Sequence, residues 1–386
     1  MRVLAIALAC LAAPSAAQTC GGSFAGFVDG LRAEAEARGH PPERVRSFFT
    51  GVRQDDRALR ADRAQGIFRT EFTDFARRLI SADRMSTGRS RLDRHRAIFD
   101  RAEREFGVPR GILVAFWAFE TDFGRNQGDH NTRDALVTLA HDCRRPGLFR
   151  PQVFAALDLY ARGQFDPART RGAWAGEIGQ VQMLPSDILT SAVDGDGDGR
   201  IDLAGSAADA LLSGASMLRA KGWRPNEPWL HEVVLPADLD WGRTGLRTQL
   251  DVAEWQRLGV RARHGSLPGG RASILVPQGR GGPAFMVWPN FRVLFEWNQS
   301  FVYVLTTAYF ATRLAGAPVF DPGRPAQGLD PDQMRALQRR LIAHGHDTGG
   351  VTGILGARTR AAVQQAQRDL GLPADAWPTQ ALLDRL

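Results

Sequence analysis

The feature that most limits the fold of this chain is the run GILVAFWAF at residues 111–119, closed by a single acid, Glu120. Nine residues without a polar side chain cannot lie along a surface, so the run has to be enclosed on all sides. Gly107-Val108-Pro109 punctuates the chain just before it, and Gly124 follows shortly after. These bounds and the length of the run predict a buried helix that ends near Gly124. On such a helix Glu120 shares a face with Phe116 and Trp117, whereas Asp122 points elsewhere. An isolated carboxylate in apolar surroundings either finds partners or has its pKa raised until it is neutral. A carboxylic acid still protonated near neutral pH is what a departing oxygen needs as a proton source. A Glu merely hydrogen-bonded at a helix end is the commoner arrangement, so this stretch alone does not decide between the two.

The rest of the chain reads as mainly helical. Phe24, Phe27, Val28 and Leu31, and again Phe68, Phe72, Phe75 and Leu79, recur at helical spacing within residues 24–105. Further helices are predicted over 133–163, 206–221 and 297–315. A Gly-rich turn region occupies 194–205, and short extended runs (ASILVP at 272–277, AFMVW at 284–288) fall in the Pro- and Gly-broken stretch 225–292. With 386 residues, 44% of them hydrophobic, the chain can bury one large core or two domains. AGAPVFDPGRPAQG, 315–328, has the composition of a linker. Beyond it a separate helical unit places Met334, Leu337 and Leu341 on one face and Ala362, Val363, Ala366 and Leu370 on another. The formal charge of +7 is spread along the chain without a like-charge run, which argues against a nucleic-acid arm and favours anionic partners in general.

The first residues, MRVLAIALACLAAPSAAQ, combine Arg2, an apolar core from Val3 to Ala13, and small residues at Ser15 and Ala17. They predict a secretory leader, residues 1–17. Its apolar core is too short to span a bilayer, and no later stretch reaches the roughly 18 apolar residues a spanning helix needs. Cys10 and Cys20 lack the Leu-Ala-Gly-like residues that precede a lipidated cysteine, so an exported soluble protein is expected. Leader removal leaves Cys20 and Cys143, which in an oxidising compartment most simply form one disulfide.

Two further stretches carry binding chemistry. GAWAGEIGQVQMLPS (172–186) combines close-approach glycines with Gln180 and Gln182, which hydrogen-bond amides and hydroxyls. NFRVLFEWNQSFVY (290–303) sets Trp297 beside Asn298, with Tyr303 close behind; aromatic faces next to amides suit sugars. ETDFG (120–124), TLAHDCRR (138–145), WAGEIGQVQMLPS, DGDGDGR (194–200) and NFRVLFEWNQSFVY follow one another in an order and spacing that resembles the membrane-bound lytic transglycosylase B family, over roughly residues 22–316.

The resemblance implies a lysozyme-like α+β catalytic domain, residues 18–316. It implies cleavage of the β-1,4 bond between N-acetylmuramic acid and N-acetylglucosamine of peptidoglycan without water, leaving a 1,6-anhydro end. It puts Glu120 on the family's single acid/base, and Gln182, Asn298 and Tyr303 on its substrate groove, where Gln180 and Trp297 are also expected. A retaining glycosidase generally needs a second carboxylate about 5 Å away. Attack by the substrate's own N-acetyl oxygen removes that need, and the chemistry requires no cofactor. Ala173, Met183 and Trp297 stand where the family usually has Ser, Phe and Tyr. Two competing readings stay open: a non-catalytic wall-binding scaffold, and a hydrolase using Asp122 or Glu177 as second acid.

VDGDGDGRIDL starts like a calcium loop, with Asp194, Asp196 and Asp198 at positions one, three and five, Gly199 at six, and the Arg200 carbonyl at seven. Gly205 stands at position twelve, where a bidentate Glu belongs, so Asp209 serves only if the loop is longer, as in the resembled family. Structural calcium and a plain acidic turn are both consistent with it. The tail, 328–386 after a linker at 317–327, resembles a three-helix peptidoglycan-binding module through LQRRL (337–341), GVTGILGARTRAAV (350–363) and Gln367, with Thr352 and Ala366 departing from the usual pattern. Tethering such a module raises the effective concentration of an enzyme at an insoluble substrate. The expected setting is periplasmic, with glycan strands as partner, no nucleic acid, and a monomeric chain.

Overall fold

The computed structural model describes residues 20–64 and 70–386. Phe68 and the proposed leader, 1–17, lie outside the described residues. The chain divides into two compact units, one formed up to Asp62 and by Asp129–Gly176, the other by Arg63–Gly128 and Glu177–Leu386.

The first unit is mainly helical, with one short antiparallel pair, His130–Asn131 and Arg171–Gly172. Phe24–Ala37 is capped by the Ser23 hydroxyl and Thr132–His141 by the Asn131 carboxamide, each satisfying a free amide of a first turn. The block expected at 133–163 is two helices, Thr132–His141 and Pro146–Ala161, because Asp142–Arg145 leave helical geometry. Cys143 sits in that break and is bonded to Cys20, with Cα atoms 5.2 Å apart. Arg144 and Arg145 clamp the buried Asp62 carboxylate.

The second unit is built around the helix Arg110–Thr121, whose residues Gly111–Ala118 are all buried. The helices Ala82–Arg94, Arg96–Phe106, Ala207–Ala220 and Phe301–Leu314 surround it. Gly111 lets Phe301–Leu314 come close: a Cβ there would stand 2.9 Å from the Ala311 carbonyl oxygen. The helix closes at Thr121, short of Gly124. Asp122 and Phe123 adopt left-handed conformations (φ 51° and 60°), and the Phe123 N–H reaches back to Trp117 O at 2.9 Å. For non-glycine residues each such conformation costs roughly 1–2 kcal/mol. The helix expected over 297–315 begins only at Phe301, since Ser300 is its N-cap.

An antiparallel five-stranded sheet, in the order Leu250–Asp251, Arg271–Leu275, Phe285–Val287, Leu230–Val234, Arg261–Ala262, fills the broken stretch. Val233, Trp255, Ile274, Met286 and Trp288 form its apolar core. The C-terminal helices Pro331–Ala343, Ala357–Asp369 and Gln380–Leu383 share one cluster containing Met334, Leu337, Leu341, Ala362, Val363 and Ala366. Leu370 is the exception to the expected face. It follows the last helical residue and is 36% exposed.

The connecting segment is held down along its length, although its composition is that of a linker. Phe320 is buried and stacks on Phe72, Asp321 pairs with Arg263 at 3.1 Å, and the Arg324 N–H donates to Gly281 O at 2.6 Å. The Trp377 indole N–H donates to Ala326 O at 2.8 Å. Among the described residues no helix is long and apolar enough to cross a membrane.

Candidate active site

Glu120 stands in the last turn of the buried helix and is itself half-buried. The Tyr303 hydroxyl, from the first turn of Phe301–Leu314, donates to Glu120 Oε1 at 2.5 Å. Phe116 and Trp297 stack with ring centroids 3.9 Å apart and planes 13° apart. The Trp297 side chain also acts on the Glu120 carboxyl. Burial raises the Glu120 pKa from the usual 4.5 to about 7, against the Tyr303 hydrogen bond; the charge of Glu177 pushes it upward and the Trp297 side chain downward. Burial, and then the neighbouring Glu120, raise the Tyr303 hydroxyl well above its ordinary pKa, so it remains a donor. The pair holds a carboxyl group near half-protonation at neutral pH, suited to both giving and taking a proton.

Tyr303→Phe tests this balance. A hydrogen bond to a charged group is worth about 1.5–3 kcal/mol, which corresponds to roughly one to two pKa units. The alkaline limb of the pH–rate profile should therefore move upward by about that amount.

Asp122 is directed to cations instead: it lies 3.7 Å from Arg84 and 3.2 Å from Arg125. Arg84 also acts on Tyr303 electrostatically. It sits in an Arg-rich helix with no mark in its sequence, and it was not anticipated.

The two glutamines separate. Gln180, expected in the groove, is 7% exposed and braces the interior: its Oε1 accepts the Trp117 indole N–H at 3.0 Å, and its Nε2 donates to Ala204 O at 3.1 Å. Its backbone carbonyl accepts from the Thr121 hydroxyl at 2.5 Å, locking the end of the Glu120 helix. Gln182 is half-buried with φ 56°. Its Nε2 is committed to Gly179 O (2.7 Å) and Gln127 O (3.2 Å). Asn298 is half-buried beside Trp297, and its Oδ1 accepts the Ser300 N–H at 2.9 Å, shaping the turn into the Tyr303 helix.

Asp194, Asp196 and Asp209 bring ligand oxygens within 4.8 Å of one another. Asp209, from the first turn of Ala207–Ala220, is buried and accepts the Gly195 N–H (2.8 Å) and the Asp202 N–H (2.6 Å). Asp198 stays outside this group and accepts the Arg200 N–H at 2.8 Å. Three carboxylates converging in a Gly-rich loop form an oxygen donor set of the kind hard cations prefer.

The transglycosylase SLT domain family matches residues 23–312, and the chain belongs to it. A peptidoglycan binding domain matches 330–386. The crystal structure of SltB3 from Pseudomonas aeruginosa in complex with NAG-anhNAM-pentapeptide is 37% identical, with a TM-score of 0.85, 95% of this chain and 99% of that one being covered. The Escherichia coli lytic transglycosylase Slt35 in complex with calcium is 25% identical with a TM-score of 0.66, over 77% of this chain and 96% of that one. Membrane-bound lytic murein transglycosylase B of Escherichia coli (strain K12) is 27% identical over 247 residues, which is 64% of this chain and 68% of that protein. The architecture is thus a mainly helical, lysozyme-like transglycosylase fold followed by a small peptidoglycan-binding domain.

Proposed function

We propose that Glu120 is the single acid/base of this enzyme, a peptidoglycan lytic transglycosylase. The observation that supports the role most directly is the Tyr303–Glu120 hydrogen bond on a carboxyl group with a pKa of about 7. Protonated Glu120 delivers its proton to the oxygen leaving the muramic acid carbon as the substrate's N-acetyl oxygen attacks from the other face. The ionised carboxylate, stabilised by Tyr303, then takes the proton of the C6 hydroxyl while that oxygen attacks the anomeric carbon and displaces the N-acetyl oxygen, which closes the anhydro ring and restores the acetamide. Intramolecular closure gains from proximity and needs no water. Gln182 accepts from the bound sugar, Trp297 offers an aromatic surface, and Asn298 orients the acetamido group. Asp122, paired with two arginines, is a poor water-activating acid. Product mass is the test. Intact sacculi digested by the chain should yield muropeptides one water lighter than hydrolysed ones; reducing ends would overturn the mechanism.

Asp194, Asp196 and Asp209 would hold a structural calcium ion, with the Arg200 carbonyl as a further donor, while Asp198, expected as a ligand, would have to turn inward to join them. Saturating calcium a hundredfold above its Kd should stabilise the fold by about 3 kcal/mol. Thermal melting in calcium and in chelator, for wild type and Asp194→Asn, reads this directly; an unchanged wild-type Tm leaves the loop a plain turn. An exported, periplasmic setting follows from the leader-like first residues and from a substrate that lies outside the cytoplasm. The domain limits 18–316 and 328–386, joined through 317–327, belong to the same proposal.

A further inference from the structure

Away from Glu120, the C-terminal module and the sheet region enclose a cavity of about 210 Å³. Arg247, Arg358 and Arg360 line it against one acid, Asp375, and Phe301 and Leu246 supply apolar wall. The volume is below the ~300–1,000 Å³ of sites that enclose a whole drug-sized ligand, so it suits one end of a longer molecule.

Asp375 does not neutralise the arginines by contact. Its Oδ1 accepts from Gln367 Nε2 at 2.9 Å and Trp377 N–H at 3.0 Å, and its Oδ2 accepts from Arg280 N–H at 3.1 Å. Arg360 donates through Nη2 to Pro277 O at 2.7 Å, and its guanidinium lies 4.6 Å from the Phe301 ring centroid. Its Nε is buried without a hydrogen-bond partner. Desolvation lowers the Arg360 pKa from its ordinary value to about 10, with Asp375 giving only partial compensation. A half-buried guanidinium with an idle buried donor is costly until an anion completes it. The helix Ala357–Asp369 also begins at this cavity, and its N-cap, Gly356, offers no side-chain acceptor. The exposed first-turn amides of a helix favour the same sign of ligand.

We propose that this cavity binds the free C-terminal carboxylate of a peptidoglycan stem peptide, with Arg360 as anchor and Arg247 and Arg358 at the mouth. The proposal rests on the reading above that the chain acts on peptidoglycan. The sugars there offer hydroxyls and acetamides, whereas a peptide end brings a carboxylate together with small apolar side chains. Those are the two features the wall of the cavity is built to take: a planar cation that grips carboxylates and an apolar lining. The site adds a peptide contact to an enzyme whose chemistry concerns only the sugar.

The test uses the full chain and three probes, N-acetyl-Lys-D-Ala-D-Ala, its C-terminal amide and glycerol phosphate, titrated calorimetrically. The acid should bind at least tenfold more tightly than the amide, and Arg360→Gln should remove that preference. The double variant Arg247→Ala with Arg358→Ala, at two exposed positions, should weaken the acid several-fold. It should leave release of anhydro ends from peptide-free glycan unchanged. Equal binding of acid and amide, no binding of either, indifference to both variants, or tighter binding of glycerol phosphate than of the peptide acid would each overturn the proposal. If the wild type still releases anhydro ends in those cases, the catalytic reading survives and the cavity assignment falls alone. Absence of anhydro product from the wild type would overturn both.

Discussion

Glu120→Gln should reduce the release of anhydro-ended fragments by about 10²–10⁴-fold, the range that loss of a positioned acid/base costs. Gln preserves shape and still accepts from Tyr303, so substrate binding is expected to persist while turnover collapses. The same substitution should stabilise the folded chain in alkaline solution. The folded pKa of Glu120 is raised from 4.5 to about 7. Between those values the folded state holds a proton that the unfolded chain has released, so stability falls as pH rises through the window. At 1.36 kcal/mol per unit, the wild type forfeits up to about 3 kcal/mol by pH 8 relative to pH 4. The variant carries no ionisable group there and escapes that loss. Melting curves at pH 5 and pH 8 should show the variant gaining on the wild type only at the higher pH. A variant that loses activity without this pH-dependent gain would mean that Glu120 is not held neutral by burial.

Gly179→Ala should produce the largest loss of stability. Gly179 has φ 82°, and an added Cβ would stand 2.5 Å from the Leu203 Cβ and 2.6 Å from its carbonyl oxygen. The left-handed backbone costs an alanine roughly 1–2 kcal/mol, and overpacking typically adds 1–3 kcal/mol, giving about 3 kcal/mol in total. The damage would extend beyond one turn. Gln180 N–H donates to Leu203 O at 2.8 Å, and Gly179 O receives the Gln182 side chain. Pushing Leu203 away displaces both glutamines, and with Gln180 the brace on Trp117. Urea denaturation should show the lower midpoint, and kcat should fall even at temperatures where the variant remains folded.

The long elements were legible because they are governed by local pattern. An uninterrupted apolar run can only be interior, and the faces of Met334, Leu337 and Leu341 or Ala362, Val363 and Ala366 are set by a 3.6-residue period. What depended on tertiary closure was not legible. Periodicity says nothing about Glu120 meeting a hydroxyl 183 residues away, and only the family resemblance placed Tyr303 in the groove. Gln180 and Gln182 look equivalent in sequence. Their separation arises because residues 179–182 form a tight turn that sends one amide to Trp117 and leaves the other half-exposed. The end of the Glu120 helix was misplaced because Asp122, a residue without glycine's freedom, takes the left-handed position ahead of Gly124.

The fastened connector changes how the two functions of the chain relate. Phe320, Asp321, Arg324 and Ala326 all hold it against neighbouring structure, and Gln364 and Arg360 fix the C-terminal helices to Thr244 and Pro277. A wall-gripping module on a slack leash would let the cutter sweep an area around each anchorage. Here grip and blade keep a constant interval, like the jaws of a caliper. A molecule held to the wall through that module would keep Glu120 at one fixed distance from its anchorage.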